Sequence, residues 1–165
     1  MPPITALLHT KNDALRLGRA LEMILPCSEI VIVDHHSVDT TLRVAREYGA
    51  RIVTADDLRA ASHYLDLVRH DWIFCLEPTE SISEGLQASL FEWSALPIQL
   101  SPSGAASESA FSVLVRHQTG EGWRQLPAAE TRLIPRGWTR WHGRLPAHDP
   151  SSNALQGELL RFASP

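Results

Sequence analysis

The chain has 165 residues, 44% hydrophobic and 21% charged, a length and composition suited to one globular domain rather than a disordered segment. Its formal net charge of −4 argues against a general nucleic-acid binder. No apolar run approaches the ~18 residues of a membrane span, and the start of the chain lacks a basic, apolar leader pattern. A cytoplasmic protein is expected, and the oligomeric state is left open.

In chain order, Ile4 to Leu8 reads as a strand. Asn12 or Asp13 then caps a helix carrying Leu15, Leu17, Leu21 and Ile24, which Pro26 stops. Glu29 to Asp34 (EIVIVD) is the clearest strand, β-branched and ending in an acid. Ser37 or Asp39 caps a second helix with Leu42, Val44, Ala45 and Tyr48, and Gly49 sits where a helix end expects glycine. Arg51 to Thr54 is a third strand. Asp56 or Asp57 opens a helix to about Arg69. Trp72 to Leu76 is a fully apolar fourth strand broken by Pro78, and Ser81 or Ser83 opens a helix to about Trp93. Ser101 to Ser109 reads as a loop and Phe111 to Arg116 as a strand. Gln118 to Trp123 reads as a turn, and Arg132 to Ile134 and Leu155 to Phe162 as short strands or a terminal helix.

Continuous apolar strands alternating with helices predict an α/β fold with a mostly parallel sheet, helices on both faces and an irregular C-terminal portion. The whole chain, 1–165, is expected to form one unit, with an α/β half over 1–96 and a shorter half over 97–165. Such sheets bind ligands beyond the carboxyl ends of their strands. That rule selects His9-Thr10, Asp34-His35-His36, Thr54 and Glu77 to Glu80. Cys27 and Cys75 fit neither a zinc nor a CxxC spacing and read as buried free thiols of a reducing compartment.

Thr10-Lys11-Asn12-Asp13, Ile30 to Thr41 (IVIVDHHSVDTT), Ala45 to Val53, Asp71 to Glu80 (DWIFCLEPTE) and Arg132 to Phe162 follow one another in a telling order. The set resembles family 2 glycosyltransferases of GT-A fold, lipopolysaccharide-core branch: a TKNE turn, D-S-G-S-T-D-x-T, a strand ending in D-x-D-E, and a late RLF…W.G…L.G segment. The resemblance implies a Rossmann-like GT-A domain that binds a nucleotide diphosphate sugar and transfers the sugar to an unidentified acceptor, such as a cell-envelope polysaccharide or lipid. It assigns nucleotide contacts to Thr10, Asn12, Asp34, His35 and His36. Asp39 matches the second acid of the motif and, with Ser37, is read first as a helix cap. Mg²⁺ or Mn²⁺ would be held against the diphosphate by Glu77, Thr79 and Glu80, a weakened set because Thr79 replaces an acid.

Other positions depart from the family. Its Arg-Asn pair aligns with Ala61-Ser62, and its late His-Glu with Pro146-Ala147. His148-Asp149 lies two residues on and is the substitute candidate for catalysis; the general base is otherwise unassigned. Two competing readings stand beside the transferase: a degenerate GT-A domain that binds without turnover, and a metal-dependent phosphoesterase resembling the DHH family, from Asp34-His35-His36 and Asp13-Ala14-Leu15. Trp138 and Trp141 with Arg136, Arg140 and Arg144 form a basic-aromatic cluster suited either to gripping a phosphate or sugar or to covering the sheet edge.

Overall fold

The computed structural model describes residues 3–56, 61–95 and 110–165. The loop expected at Ser101–Ser109 and part of the segment after Asp56 lie outside the described residues. Four strands, β1 (Ile4–Thr10), β2 (Glu29–Asp34), β3 (Arg51–Thr54) and β4 (Trp72–Cys75), pair in parallel in the order β3-β2-β1-β4. The apolar residues of β1 and most of those of β2 and β4 are buried on both faces, as continuous apolar runs require, while β3 at the edge is only partly covered.

The sheet then becomes mixed. Beyond β4 come β8 (Glu130–Pro135), β6 (Phe111–Thr119), β11 (Asn153–Arg161) and β5 (Glu80–Ile82). Strands β8 and β5 pair antiparallel to their neighbours, whereas β6 and β11 run parallel to each other. A hairpin joins β6 to β7 (Gly122–Gln125) through the turn read at Gln118–Trp123, and β9 (Trp141–His142) pairs with β10 (Leu145–Pro146). The C-terminal portion thus adds long strands to the same sheet, where the sequence shows only short candidates. Residue 157 shows why: β11 survives its central glycine because that glycine permits close packing, as described below.

Two-residue alternation splits the core. Ile4, Ala6, Leu8 and Ile32 face helices α1 (Ala14–Glu22), α2 (Thr41–Glu47) and α3 (Glu84–Ala95), meeting Leu17, Leu21, Ala45, Leu86 and Leu90. Leu7, Val31, Val33 and Ile73 face the opposite side, against Tyr64, Val68 and Trp138. Tyr64 belongs to a 3-10 helix, Ala61–Leu67, where the sequence predicts an α-helix to Arg69. Leu15 does not join the core: it is 84% exposed, and Leu17, Leu21 and Ile24 carry the apolar stripe. Ser83 caps α3 with its hydroxyl on the Leu86 N–H, 3.1 Å. Gly49 closes α2 at φ 72°.

Gly157 marks a close approach of backbones. At φ 95°, a Cβ there would stand 2.1 Å from the Leu86 nitrogen. The last glycine of the L.G pattern is therefore the contact of β11 with the start of α3. No helix among the described residues is long and apolar enough to cross a membrane.

Candidate functional site

Register aligns Thr10, Asp34 and Thr54 in one row at the carboxyl edge of the parallel strands. The loops that follow β1 and β2 are laced together from this row. Asp34 Oδ1 accepts the Thr10 and Ser37 hydroxyls at 2.7 and 2.6 Å, and Oδ2 accepts the Ser37 N–H at 2.9 Å. The Asn12 side chain accepts the Val38 N–H, while its own N–H donates to the Ser37 hydroxyl. Asp39 receives the N–H groups of Thr41 and Ala14, which begin α2 and α1, and the Thr41 hydroxyl. One carboxylate thus serves the first turns of two helices, satisfying donors that a helix start leaves unpaired. Asn12 and His36 adopt φ 54° and 59°, the left-handed region; His36 stands where the resembled motif has glycine.

These contacts change the role of several predicted site residues. Asp34 is 1% exposed, a buried organiser of two loops rather than a spared strand-end acid. Burial alone would raise its pKa, but the Ser37 and Thr10 hydrogen bonds outweigh that and hold it below the usual carboxylate range. Thr10 and Asn12 are likewise engaged within the protein. The DHH triplet supplies no shared metal position: Asp34 binds Ser37 and Thr10, His35 meets His9, and exposed His36 reaches Asp56 at 3.4 Å.

A cleft of about 240 Å³ lies beside this edge, lined by His9, Lys11, Asp13, Leu76, Glu77 and Pro78, with Thr79, Arg144 and Leu145 completing it. Its origin is a step in the sheet: β4 last pairs at Cys75↔Leu7, before β1 ends at Thr10. Beyond that step the chain turns through Glu77-Pro78-Thr79. His9 and Thr10 point to opposite faces, so His9 reaches the cleft while Thr10 turns toward the helices. His9, Lys11, Asp13 and Arg144 are the charged or titratable lining residues absent from the predicted ligand set. The strand-end rule selects His9 with Thr10, and its shared parity with Leu7 is the signal that it faces away from the helices.

His9 is 6% exposed, and its Nδ1 shares a 2.9 Å hydrogen bond with His35 Nε2. Burial, then His35, then Arg144 push its pKa down to about 3. Exposed Lys11 donates to the His36 carbonyl at 3.0 Å. Asp13 is held by the Lys11 N–H at 2.7 Å and by Arg16 at 3.2 Å. Burial and the neighbouring Glu80 raise the pKa of Glu77.

The structure moves Glu80 out of the metal-ligand set. Fully buried, it binds the fully buried Arg132 through both oxygens at 2.7 and 2.8 Å, and Arg161 at 2.9 and 3.2 Å. It also accepts the Glu77 N–H at 2.9 Å. Glu130 bridges the same two arginines at 2.9 Å each. Burial alone would raise the Glu80 pKa, and Arg132 overrides that and lowers it. The remaining set, Glu77 and the Thr79 hydroxyl, offers one charge. Among the described residues, no group of three His, Cys, Asp or Glu side chains is placed to hold a cation, and the Glu77–Thr79 pair alone does not fit a free-standing Mg²⁺ or Mn²⁺ site.

The catalytic candidates separate as well. His148 is exposed in a neighbouring hollow with Glu130 and His142, which meets the cleft at Leu145. Asp149 is buried, its carboxylate taken by the Ser151 N–H and hydroxyl at 2.9 and 2.7 Å and by Arg140 at 3.2 Å. The Ser151 bonds hold its pKa down, which makes it a weak proton acceptor.

The basic-aromatic cluster divides too. Trp138 is core, Arg140 stacks on it at 4.3 Å, Arg136 holds the His70 carbonyl at 3.2 Å, and only Arg144 enters the cleft. Both cysteines are free, and burial pushes their thiols up to about 12, which leaves no reactive thiolate.

No family model matches the chain. It is 32% identical over 91 residues to an uncharacterized glycosyltransferase of Rickettsia felis, covering 53% of this chain and 32% of that one. A counterpart in Rickettsia bellii is 32% identical over 88 residues, covering 51% and 30%. The chain spans about a third of the length of these curated relatives. Among solved structures, S. aureus TarS 1-349 superposes with a TM-score of 0.53 at 12% identity, covering 82% of this chain and 48% of that one. Sheet order, parallel core and helical layers are those of the GT-A type of α/β fold.

Proposed function

We propose that this chain is the nucleotide-sugar-binding part of a glycosyltransferase. The observation that carries the reading is the cleft at the β1 and β4 carboxyl ends, opening in a GT-A-type sheet beside the laced loops Thr10–Asp13 and Asp34–Thr41. The similarity to proteins named glycosyltransferase supports it. The cleft carries two cations, Lys11 and Arg144, suited to a diphosphate. Its volume is below the roughly 300–1,000 Å³ of a whole small-molecule site, so part of the ligand would lie outside it. Asp34 and Thr10 would act by fixing the loop that carries His35 and His36, and the nucleoside would meet that loop's outer face.

A second reading, binding without turnover, is favoured by one observation: Glu80 is committed to Arg132 and Arg161, which leaves Glu77 and Thr79 as the only donors at the turn. Any Mg²⁺ or Mn²⁺ would then arrive with the ligand's own diphosphate supplying most of the oxygen charge.

A thermal-shift and calorimetric series with nucleoside diphosphates and their sugar conjugates, with and without Mn²⁺, tests both readings. Stabilisation by a sugar nucleotide together with release of its sugar supports the transferase. Stabilisation with no sugar release supports the binding module. No stabilisation by any nucleotide overturns both.

A further inference from the structure

Among the described residues, most polar atoms at this edge are paired within the protein, and one that is not belongs to a residue lining the cleft. His9 Nε2 is buried and has no hydrogen-bond partner among the described residues, although the ring lines the cleft. A buried polar atom without a partner costs free energy unless a water or a ligand satisfies it. The ring is fixed in place. Its Nδ1 bonds His35 at 2.9 Å, it stacks on that imidazole at 5.2 Å, and Tyr64 meets it edge-on at 5.7 Å.

Its surroundings define what the free nitrogen faces. Arg144 and Lys11 line the same cleft with Asp13 and Glu77; Asp13 is already held by the Lys11 N–H and Arg16, so the two cations favour a ligand group rich in acceptor oxygens. The complement to such a group is an N–H, not a lone pair. We propose that His9 is a neutral hydrogen-bond donor to the phosphoryl oxygens of the ligand in this cleft, a role that rests on the nucleotide-sugar reading above.

This role requires one of the two tautomers that the His9–His35 bond allows: Nε2 carries the proton and Nδ1 accepts from His35. A neutral donor suits the position because burying a third cation beside Arg144 would be costly. It also removes His9 from proton transfer. With a pKa of about 3, the ring neither gives nor takes a proton at neutral pH.

The experiment titrates inorganic pyrophosphate and uridine diphosphate into the wild type, His9→Phe and His9→Gln by calorimetry. Thermal unfolding checks that each variant is folded. His9→Phe should weaken both ligands by about ten- to a hundred-fold, the range for a hydrogen bond to a charged group. His9→Gln, which restores an N–H, should recover part of that loss. In the wild type, ¹⁵N NMR should show His9 as the Nε2–H tautomer, with Nε2 shifting on addition of pyrophosphate.

Equal affinities for wild type and His9→Phe would overturn the assignment and leave the nucleotide reading standing. An Nδ1–H tautomer, or an Nε2 that ignores pyrophosphate, would overturn it even where His9→Phe fails to fold. Failure of every nucleotide to bind the wild type would instead overturn the reading on which it rests.

Discussion

Glu80→Gln separates a structural carboxylate from a metal ligand. Glu80 and Arg132 are both 0% exposed, and the guanidinium meets the carboxylate through two parallel hydrogen bonds. Neutralising Glu80 leaves Arg132 buried with only Glu130 as counter-charge, and Glu130 is 31% exposed. Breaking a buried pair from one side costs about 3–5 kcal/mol, because the remaining charge stays desolvated. For a chain of this size that corresponds to a fall of about 6–20 °C in melting temperature. The sign with pH follows from the lowered Glu80 pKa. The stabilisation is fully present above the unfolded carboxylate value of about 4.3 and is lost as pH falls through the folded one. Urea unfolding at pH 7 and at pH 4 reads both effects, and the difference between wild type and variant should shrink at the lower pH. Replacing both partners, Glu80→Gln with Arg132→Met, should recover much of the loss, since Glu130 and Arg161 keep each other. A loss below about 1 kcal/mol, well under the cost expected of a broken buried pair, accompanied by weaker Mn²⁺ binding in the nucleotide complex, would refute this assignment and return Glu80 to the cation.

Asp34→Asn should destabilise the fold by about 1–3 kcal/mol, because an amide N–H₂ would face the Ser37 N–H or the two hydroxyls that the carboxylate now accepts. Its acid-side stability curve should be flatter than the wild type's, as expected when a carboxylate with a lowered pKa is removed. Gly157→Ala should cost about 2–6 kcal/mol in chemical denaturation, the sum of positive-φ strain and overpacking against α3. Gly143→Ala, with φ 63° and open space around it, should cost only about 1–2 kcal/mol; equal losses at the two sites would refute the close-approach argument. Thr79→Asp should strengthen Mn²⁺ binding in the nucleotide complex, while the nucleotide-free wild type should bind Mn²⁺ poorly; micromolar binding by the free protein would show that Glu77 and Thr79 suffice.

The parallel half of the sheet was legible because its signals are local. EIVIVD is long, β-branched and bounded by breakers, and Gly49 and Ser83 sit at helix ends where their chemistry is needed. What escaped depends on distant partners. Strand β5 has three residues, and Glu80 pairs there with Arg161 at the far end of the chain, so no periodicity could mark it. Glu80 therefore reads as a metal ligand until Arg132 and Arg161 are seen to claim it. Asp34 reads as a ligand contact for the same reason: an acid at a strand end looks alike whether a nucleotide or Ser37 takes its oxygens. The 3-10 helix was read as α-helical because Tyr64, Leu65, Leu67 and Val68 supply an apolar stripe that either helix can present.

The resembled motifs and the cleft divide the polar work of this edge between two faces. Even-numbered Thr10 and Asp34 turn toward α1 and α2, where they bond each other and Ser37, while Asp39 and Thr41 hold the helix starts beside them. Odd-numbered His9 turns the other way, toward the turn that carries Glu77 and Thr79. The motif residues are thus bound to one another, and a ligand meets groups that only this fixed frame can present. This arrangement favours affinity over proton transfer. The cleft offers two cations, one imidazole held neutral, the Asp13 carboxylate already held by Arg16, and the Glu77 carboxyl of raised pKa. Asp149, the acid nearest in sequence to the family's late pair, is locked by Ser151 and Arg140. Sugar transfer with inversion needs a group that accepts the acceptor's proton near neutral pH. Among the described residues that line the cleft, Glu77 is the one whose pKa is displaced in that direction, by burial and by the neighbouring Glu80.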